Sequence, residues 1–257
     1  MDAEKPSHSV VKSARRVLEI FEFFAGRQAP ATVMEVSREL GYPQSSTSAL
    51  MESLRSLGYL SYDRYSRQFN PTLRVAFMGN WVQESMYSDG NLFRLMVDLQ
   101  QRSELTVILG LQNDIYVQYI HSIQSASPLR LFVRPGTLRP LARAAIGKML
   151  LSTKSDKEIR ALLTRINATE EVPENRIKFA DLMKDIEGCR RDGYYISQGT
   201  VTHGAGVIAM LLPESPGQPP MGLGIGAPMS RLLKKKQEVI DMLQEALQPQ
   251  FGIRRSA

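Results

Sequence analysis

The residues that could carry nucleophilic or metal chemistry are few and far apart in this chain. The 257 residues include one cysteine, Cys189, and three histidines, His8, His121 and His203. A structural zinc site needs several Cys and His ligands at short spacings, and a catalytic nucleophile needs a base within hydrogen-bond reach. Cys189 has no histidine near it in sequence, and no Gly-x-Ser-x-Gly motif occurs. We therefore expect no metal, no cofactor and no enzyme, with catalysis in a pocket of the second half as the alternative.

The balance of charge permits a polyanionic partner without requiring one. Lys and Arg number 32 against 26 Asp and Glu, which gives a formal net charge of +6. Residues 9–72 carry eight Lys and Arg against six Asp and Glu, a net charge of only +2, so charge by itself does not select nucleic acid as the partner. No apolar run approaches the ~18 residues that cross a bilayer. We expect no membrane partner.

Three short helices are predicted in the first sixty residues. The first has apolar residues at helical spacing and is expected to stop at Gly26. The second opens with Thr32 and Glu35, the spacing of a capping box, and ends at Gly41. The third begins at Pro43, which needs no intrahelical donor there. Its buried side is expected to consist of Thr47, Leu50, Leu54 and Leu57.

A hairpin is predicted after the third helix, with strands at 59–62 and 67–70 around the polar turn 63–66. Helix, short helix, glycine turn, helix and hairpin is the order of a winged helix-turn-helix. The same order fits a small subdomain that binds nothing, or one that docks a partner protein. The pattern alone does not separate these three interpretations.

The second half of the chain has a different pattern. An amphipathic run at 73–88 predicts a linker helix, and Asp89-Gly90-Asn91 marks a domain boundary. Beyond it, helices and strands are mixed, which predicts an α+β architecture. Helices are expected at 92–103, 141–151, 156–166, 179–191 and 231–247. Strands are expected at 106–111, 115–121, 129–134, 194–197, 207–212 and 221–227.

Several segments together resemble the IclR family of bacterial transcriptional regulators over residues 12–247. The segments are SARRVLEIFEFF, EVSRELGYPQSSTSALMESLRSLGYL, PLRLFVRPGTLRPLARAAIGKMLL, RRDGYYISQG, GAGVIAML and LGIGAP. The resemblance implies an α+β chain with a winged helix-turn-helix, a linker helix and a GAF-like effector domain whose sheet is mainly antiparallel. The expected bounds are a flexible tail at 1–8, the DNA-binding domain at 9–72, the linker helix at 73–88, the effector domain at 89–252 and a tail at 253–257.

The resemblance also implies what the protein does. It implies a cytoplasmic transcriptional regulator, a homodimer or homotetramer, that binds a palindromic double-stranded DNA operator and responds to a small organic acid. A protein-interaction module is the other alternative to this function. The sequence does not say whether such a regulator represses or activates.

The residues expected to contact DNA lie on the third helix and around it. A recognition helix enters the major groove and reads base edges with its outward side chains. Base contacts are expected from Gln44, Ser45, Ser46, Ser48 and Arg55, and phosphate contacts from Arg15, Arg16, Arg38, Arg64 and Arg67. The family commonly has Lys after the proline and Arg five residues later, where this chain has Gln44 and Ala49. A merely solvated polar face is the alternative for each residue.

A glycine-rich strand at 221–228 predicts one bare strand face, because its glycines recur at every second position. A ligand, a closely packed helix or a partner subunit could cover that face. The family resemblance favours a ligand. The effector-binding residues that it implies are Leu131, Ala142, Ala145, Ile146, Ser197, Val207, Gly224 and Gly226.

The implied pocket has lost polar groups relative to family members. Ser197 replaces the Asp of relatives that bind small keto acids, and Val207 replaces a common Cys. Fewer donors and more room favour a larger, flatter and more apolar ligand. We expect an aromatic or bulky organic acid, its carboxylate held by Ser197, by backbone amides of residues 144–147 or by Arg143. A pocket that holds no ligand is the alternative.

Overall fold

A computed structural model of the chain describes residues 11–79, 91–214 and 217–247. The chain divides between residues 85 and 86 into two compact units, and each unit is described by itself. The expected tails at 1–8 and 253–257 lie outside the described residues, as does the expected linker helix from residue 80 onward. No helix in the described part is long and apolar enough to cross a membrane.

The first unit has the predicted order of helices followed by a hairpin. Its elements are α1 (Lys12–Arg27), α2 (Val33–Leu40), α3 (Gln44–Ser56), β1 (Leu60–Asp63), β2 (Gln68–Pro71) and α4 (Leu73–Phe77). The described start of the expected linker helix is therefore α4, and none of its residues is buried.

Local sequence signals set the ends of α2 but not the end of α1. The Thr32 side chain accepts a hydrogen bond from the Glu35 backbone N–H, and Glu35 accepts one from the Thr32 backbone N–H, so the capping box is confirmed. Gly41 ends α2 with φ 67°. The expected stop of α1 at Gly26 is wrong. Gln28 takes the left-handed conformation instead, and its N–H donates to the Phe24 carbonyl at 2.8 Å.

The core of the first unit is small and apolar. It contains Ile20, Phe24, Ala31, Val36, Met51, Leu54, Leu60 and Phe69. The expected buried side of α3 is partly wrong, because Leu57 is 58% exposed and Met51 is fully buried. The helix ends at Ser56, so the periodicity that would bring Leu57 inward no longer applies there.

The hairpin turns without a glycine. Leu60 pairs with Pro71 and Asp63 pairs with Gln68 in the antiparallel register. Arg67 takes the left-handed conformation with φ 54°. The Asp63 carboxylate accepts hydrogen bonds from the Tyr65 N–H at 2.9 Å and the Ser66 hydroxyl at 2.8 Å. Asp and Ser favour turns because their side chains bond to groups a few residues away, so these bonds stabilise the turn without a glycine.

The second unit is an antiparallel sheet with helices on both faces. Its helices are α5 (Asn91–Ser103), α6 (Ala145–Ser152), α7 (Asp156–Thr169), α8 (Phe179–Asp192), α9 (Met229–Lys234) and α10 (Lys236–Leu247), with a 3-10 turn at Pro173–Asn175. Its strands are β3 (Thr106–Asn113), β4 (Tyr116–Ile123), β5 (Leu138–Pro140), β6 (Tyr195–Gln198), β7 (Ala205–Leu211) and β8 (Met221–Pro228). The strand order is β5-β4-β3-β8-β7-β6, and every neighbouring pair is antiparallel.

Two apolar cores lie on opposite faces of this sheet. Residues of α6, α7 and α8 pack on one face around Ile146, Leu163 and Ile186. Residues of α5, α9 and α10 pack on the other face around Leu99 and Leu243. The side chains of each central strand therefore alternate between two buried cores, which makes β8 buried along almost its whole length.

The structure corrects three predicted elements of the second unit. Residues 129–134 are not a strand but an extended loop, held by the Thr106 hydroxyl on the Leu131 carbonyl and the Ser122 hydroxyl on the Val133 carbonyl, each at 2.8 Å. β5 pairs with β4 in place of that loop. Helix α6 begins at residue 145 rather than 141, and the last helix is divided at Lys235 into α9 and α10.

Candidate DNA-binding surface and effector cavity

The first turn of α3 presents polar side chains. Gln44 and Ser45 are exposed, whereas Ser46 and Ser48 are half-buried. The Ser46 hydroxyl donates to the Pro43 carbonyl at 2.9 Å, so its proton is used within the chain and only its lone pairs face outward. Gln44 and Ser45 therefore have the most freedom to contact a partner.

Arg55 is held at the other end of α3. It forms an ion pair with Glu52 at 2.8 Å, and its guanidinium lies over the Tyr62 ring at 5.8 Å. Glu52 thus compensates a neighbouring cation. The structure places Arg55 beside the hairpin with part of its charge neutralised.

The five cations expected on phosphates fall into two groups. Arg15 pairs with Glu19 at 3.6 Å, and Arg16 stacks on the Tyr42 ring at 4.6 Å. The Tyr42 hydroxyl also donates to Glu19, so these groups fasten α1 to the turn between α2 and α3. The second group consists of Arg38, Arg64 and Arg67, which are exposed and have no carboxylate in ion-pair contact within the described residues.

Glu35 is strongly stabilised as a carboxylate. The backbone and side-chain hydrogen bonds from Thr32 and the bond from Arg27 lower the pKa of Glu35 to about 2. Its ion pair with Arg27 measures 2.6 Å. Glu35 therefore fixes the start of α2 and ties it to the end of α1.

A small cavity lies between the sheet of the second unit and the start of α6. Its lining residues are Ile108, Tyr119, Leu131, Val133, Arg139, Ala144, Ala145, Ser197, Val201, Thr202, Ala205 and Val207. Its volume is about 20 Å³, which is on the order of one water molecule. Ligand pockets measure roughly 300–1,000 Å³, so an organic acid fits only if wall residues move.

Half of the expected effector residues line this cavity. Leu131, Ala145, Ser197 and Val207 belong to its wall, whereas Ala142, Ile146, Gly224 and Gly226 do not. Ala142 and Ile146 are buried in the core between the sheet and α6. The expected site is thus divided between a cavity wall and a packed core.

The glycine face of β8 is covered by the chain's own side chains. A Cβ on Gly222 would lie 2.6 Å from Cγ2 of Ile146, and one on Gly226 would lie 2.6 Å from Cδ2 of Leu131. A Cβ on Gly224 would lie 2.8 Å from Cγ1 of Val207. In this structure the glycines make room for α6, the loop after β4 and β7.

The groups expected to hold a carboxylate are partly engaged elsewhere. The Ser197 hydroxyl accepts from the Val207 N–H at 3.2 Å and is buried. Arg143 donates to the Asn175 carbonyl and pairs with Glu170 at 3.6 Å, and it does not line the cavity. Arg139 does line the cavity. Sequence reasoning missed Arg139, because only the strand register reveals which face of the sheet it occupies.

Lys148 is a buried lysine of α6, about one turn after the wall residues Ala144 and Ala145. Lys148 donates to the Asp185 carboxylate at 2.6 Å and to the Tyr195 hydroxyl at 2.7 Å. Burial alone would lower the pKa of Lys148, but these hydrogen bonds outweigh burial and the net pKa is raised. Burial raises the pKa of the nearby Cys189 thiol to about 12. A protonated, buried thiol is a poor nucleophile.

The described residues contain no group of three or more His, Cys, Asp and Glu side chains that could hold a metal ion. The buried Ser197, Lys148 and Cys189 likewise form no nucleophile–base pair in the described hydrogen bonds. The cavity therefore offers groups that can bind a ligand rather than a set of reacting groups.

Two family models match the chain and together cover most of it. Residues 92–249 match the model described as Bacterial transcriptional regulator IclR C-terminal, and residues 13–64 match the IclR helix-turn-helix domain. The chain is 24% identical over 237 residues to the HTH-type transcriptional regulator KdgR of Escherichia coli K12, covering 91% of this chain and 90% of that protein. It is 22% identical over 239 residues to the HTH-type transcriptional repressor AllR of the same strain, covering 91% of this chain and 86% of that protein.

Solved structures confirm the fold class. The Thermotoga maritima IclR structure superposes with a TM-score of 0.65 at 21% identity, covering 91% of this chain and 95% of that one. The effector domain of an IclR transcriptional regulator from Acinetobacter sp. ADP1 superposes with a TM-score of 0.60 at 29% identity, covering 64% of this chain and 96% of that one. The matched curated proteins are transcriptional regulators, which confirms the expectation that the chain is not an enzyme.

Proposed function

Because the chain belongs to the IclR family of bacterial transcriptional regulators, we propose that it binds a palindromic operator as a homodimer or homotetramer under the control of a small organic acid. The family assignment makes it a regulator with a helix-turn-helix DNA-binding domain and a C-terminal effector domain. The operator symmetry, the assembly and the class of effector are the proposed part.

The proposal that α3 recognises DNA bases rests on its first turn, where Gln44 and Ser45 are exposed. Gln44 can contact adenine through its amide, and Ser45 can donate or accept. Arg38, Arg64 and Arg67 have no carboxylate in ion-pair contact within the described residues and are exposed. Such cations contribute a sequence-independent attraction to phosphates. Arg15 and Arg16, which are engaged with Glu19 and Tyr42, serve mainly to hold the helices together.

A selection from random duplexes tests this proposal. The purified full chain is expected to enrich two inverted half-sites separated by about one helical turn or a multiple of it. Fluorescence anisotropy with the enriched duplex should show affinity that falls steeply with salt, because phosphate contacts release counterions. Failure to bind any duplex at low ionic strength would overturn the proposal. Enrichment of a single unrepeated half-site would overturn the palindromic operator alone.

The effector is proposed to bind at the cavity beside α6. Most of the wall is apolar, and the polar side chains on it are Tyr119, Arg139, Ser197 and Thr202. An apolar wall with a few polar groups is typical of sites for small organic ligands. An aromatic acid matches this composition better than a small keto acid does. A thermal-shift screen against aromatic and small keto acids tests the class, and stabilisation by pyruvate or glyoxylate alone would contradict it.

A further inference from the structure

We infer that Arg139 and Tyr119 form the anion-binding end of the effector cavity, so that the ligand's carboxylate lies against β4 and β5. This inference rests on the proposed effector-binding function and deepens it. It replaces Ser197 and Arg143 as the expected carboxylate partners. Four observations support it: the strand register, the charge of the wall, the unpartnered tyrosine hydroxyl and the position of Leu131.

The strand register brings the two side chains together on the α6 side of the sheet. Val117 of β4 lies opposite Arg139 of β5, and Val117 is buried in the core between the sheet and α6. Side chains two residues apart on a strand share a face. Tyr119 is therefore on the same face as Val117, diagonally across from Arg139, within reach of a long side chain.

Arg139 supplies the only full charge among the residues that line the cavity. It is half-buried, and within the described residues no carboxylate is in ion-pair contact with it. A guanidinium that is partly removed from water and lacks a counter-ion favours an anion beside it. Its planar fork matches a carboxylate through two parallel hydrogen bonds.

Tyr119 supplies a second donor. The residue is only 4% exposed and lines the cavity. No described hydrogen bond involves its hydroxyl, which is not among the fully enclosed side-chain atoms without a partner in the described residues, Arg15 Nε and His121 Nε2, so the hydroxyl is open to the cavity. Burial raises the pKa of Tyr119 to about 12, against a smaller lowering by the charge of Arg139. The hydroxyl is therefore protonated at neutral pH and can donate to a carboxylate oxygen.

The ligand's apolar body is assigned to the space now occupied by Leu131. Leu131 lies over Gly226, where a Cβ would be 2.6 Å from its Cδ2. Leu131 belongs to a loop rather than a strand, and its backbone carbonyl accepts from the Thr106 hydroxyl. Its side chain can therefore rotate while that bond and the hydrogen bonds between strands are kept. Its withdrawal would expose the side-chain-free surface of Gly226 as a flat wall. A planar ring would then lie over Gly226 and beside Ile108, which is diagonally across from it on the neighbouring strand, with its carboxylate directed at Arg139.

Matched acids and amides test the assignment by calorimetry on the full chain. The probes are benzoate, 4-hydroxybenzoate, phenylacetate and cinnamate, each compared with its primary amide. The wild type is expected to bind at least one acid, and its amide at least tenfold more weakly. Arg139→Gln is expected to lower the affinity for that acid at least tenfold and to leave the affinity for the amide within threefold. Tyr119→Phe is expected to lower the acid affinity about threefold or more.

Arg130→Gln is the matched control. Arg130 is exposed, lies over the Phe132 ring and does not line the cavity, so the same loss of charge there should leave acid binding unchanged. Thermal unfolding without ligand checks the fold of each variant. Should Arg139→Gln fail to fold, Arg139→Lys replaces it as the test. Lysine keeps the positive charge but cannot make two parallel hydrogen bonds to a carboxylate, so the affinity for the acid is expected to fall about threefold or more.

Each outcome separates this inference from the proposed function. Undiminished acid binding by Arg139→Gln, or an equal loss in Arg130→Gln, overturns the site and leaves the effector function standing. Binding of the amides as tightly as the acids overturns the anionic ligand. Binding of no acid by a wild type that still binds its selected duplex overturns the inference and spares DNA recognition. Binding of neither acid nor DNA overturns both proposals.

Discussion

Gln44 and Arg64 illustrate two kinds of contact that single residues can make with DNA. Gln44 begins α3 and is exposed, and its amide both donates and accepts. Arg64 is an exposed cation in the hairpin turn, and no carboxylate in the described residues is in ion-pair contact with it. An amide can discriminate between bases, whereas a guanidinium on a phosphate is insensitive to sequence.

We predict that Gln44→Ala changes the base preferred at one half-site position, whereas Arg64→Ala weakens binding about equally for all operator variants. Arg64→Ala should also reduce the slope of log affinity against log salt by about 1. Selection and anisotropy measure the two effects. Arg176→Ala is the matched control, since Arg176 is an exposed arginine of the second unit. An unaltered base preference for Gln44→Ala would show that the assumed docking of α3 is wrong.

Glu35 leads to a prediction about pH. Its folded pKa is about 2 and its ordinary value is 4.5, so its charge stabilises the folded state at pH values above 4.5. This contribution is lost as the pH falls from about 5 toward 2. We predict that Glu35→Gln lowers the thermal midpoint of the first unit at pH 7 and that the difference from wild type shrinks below pH 4. A difference that is independent of pH would contradict the ionic role of Glu35.

At the scale of elements, α6 depends on one glycine for its position. A Cβ on Gly147 would lie 2.1 Å from the carbonyl oxygen of Leu141, which is a backbone atom. A backbone atom cannot rotate away as a side chain can. The close approach sets where the start of α6, and with it Ala144 and Ala145 of the cavity wall, meets the segment after β5.

We predict that Gly147→Ala destabilises the second unit by about 3 kcal/mol, the upper end of the range of about 1–3 kcal/mol typical of overpacking in a core, because the clash is with a backbone atom. Gly188→Ala in α8 is the matched control, because a Cβ there would meet only the end of Arg191 at 4.0 Å. That variant should be neutral or more stable by about 0.5–1 kcal/mol, owing to the helix propensity of alanine. Denaturant unfolding followed by circular dichroism compares them. Equal stability of the two variants would contradict the packing argument.

The sequence predicts elements well where the determining interactions are local. The capping box of Thr32 and Glu35 and the left-handed Gly41 involve neighbours three or four residues apart, and both features are observed. Residues 129–134 are predicted to be a strand but form a loop. Its carbonyls instead accept side-chain hydrogen bonds from Thr106 and Ser122, which are distant in sequence.

The candidate site shows the same division. The alternation of glycines in β8 predicts a bare strand face, and the structure contains one. Which side chains cover it depends on the packing of α6 and the loop after β4, and no local pattern encodes that. Arg139 was missed for the same reason, because its place on the cavity wall follows from pairing with Val117. The pairing of β4 with β5, rather than the local sequence, determines that a positively charged side chain lines the cavity.

At the scale of the whole molecule, two separately packed units lie along one chain. A regulator must link the occupancy of its effector site to its affinity for DNA, and such coupling is reciprocal in free energy. The effector must therefore bind the DNA-bound and free protein with different affinities if it controls binding at all.

We predict that the acid which stabilises the wild type changes its affinity for the selected duplex by at least fivefold, in either direction. Its own affinity should change by the same factor when the duplex is present. Anisotropy and calorimetry measure the two sides of this cycle. If the acid leaves the affinity for the duplex unchanged, and the duplex leaves the affinity for the acid unchanged, although both bind, the two units are not coupled. Arg139→Gln should abolish the change at the same acid concentration and leave duplex binding without acid unaltered.

The buried Cys189 has a practical consequence for such experiments. It is the single cysteine of the chain, it lies on the buried side of α8 in the core between that helix and the sheet, and its thiol is protonated at neutral pH. A maleimide reagent can therefore modify the native protein only when this region opens to solvent. The rate of labelling, followed by mass spectrometry, therefore measures how often the core of the effector domain around Cys189 opens to solvent. A bound effector that tightens the packing around α6 and α8 should lower the labelling rate of Cys189.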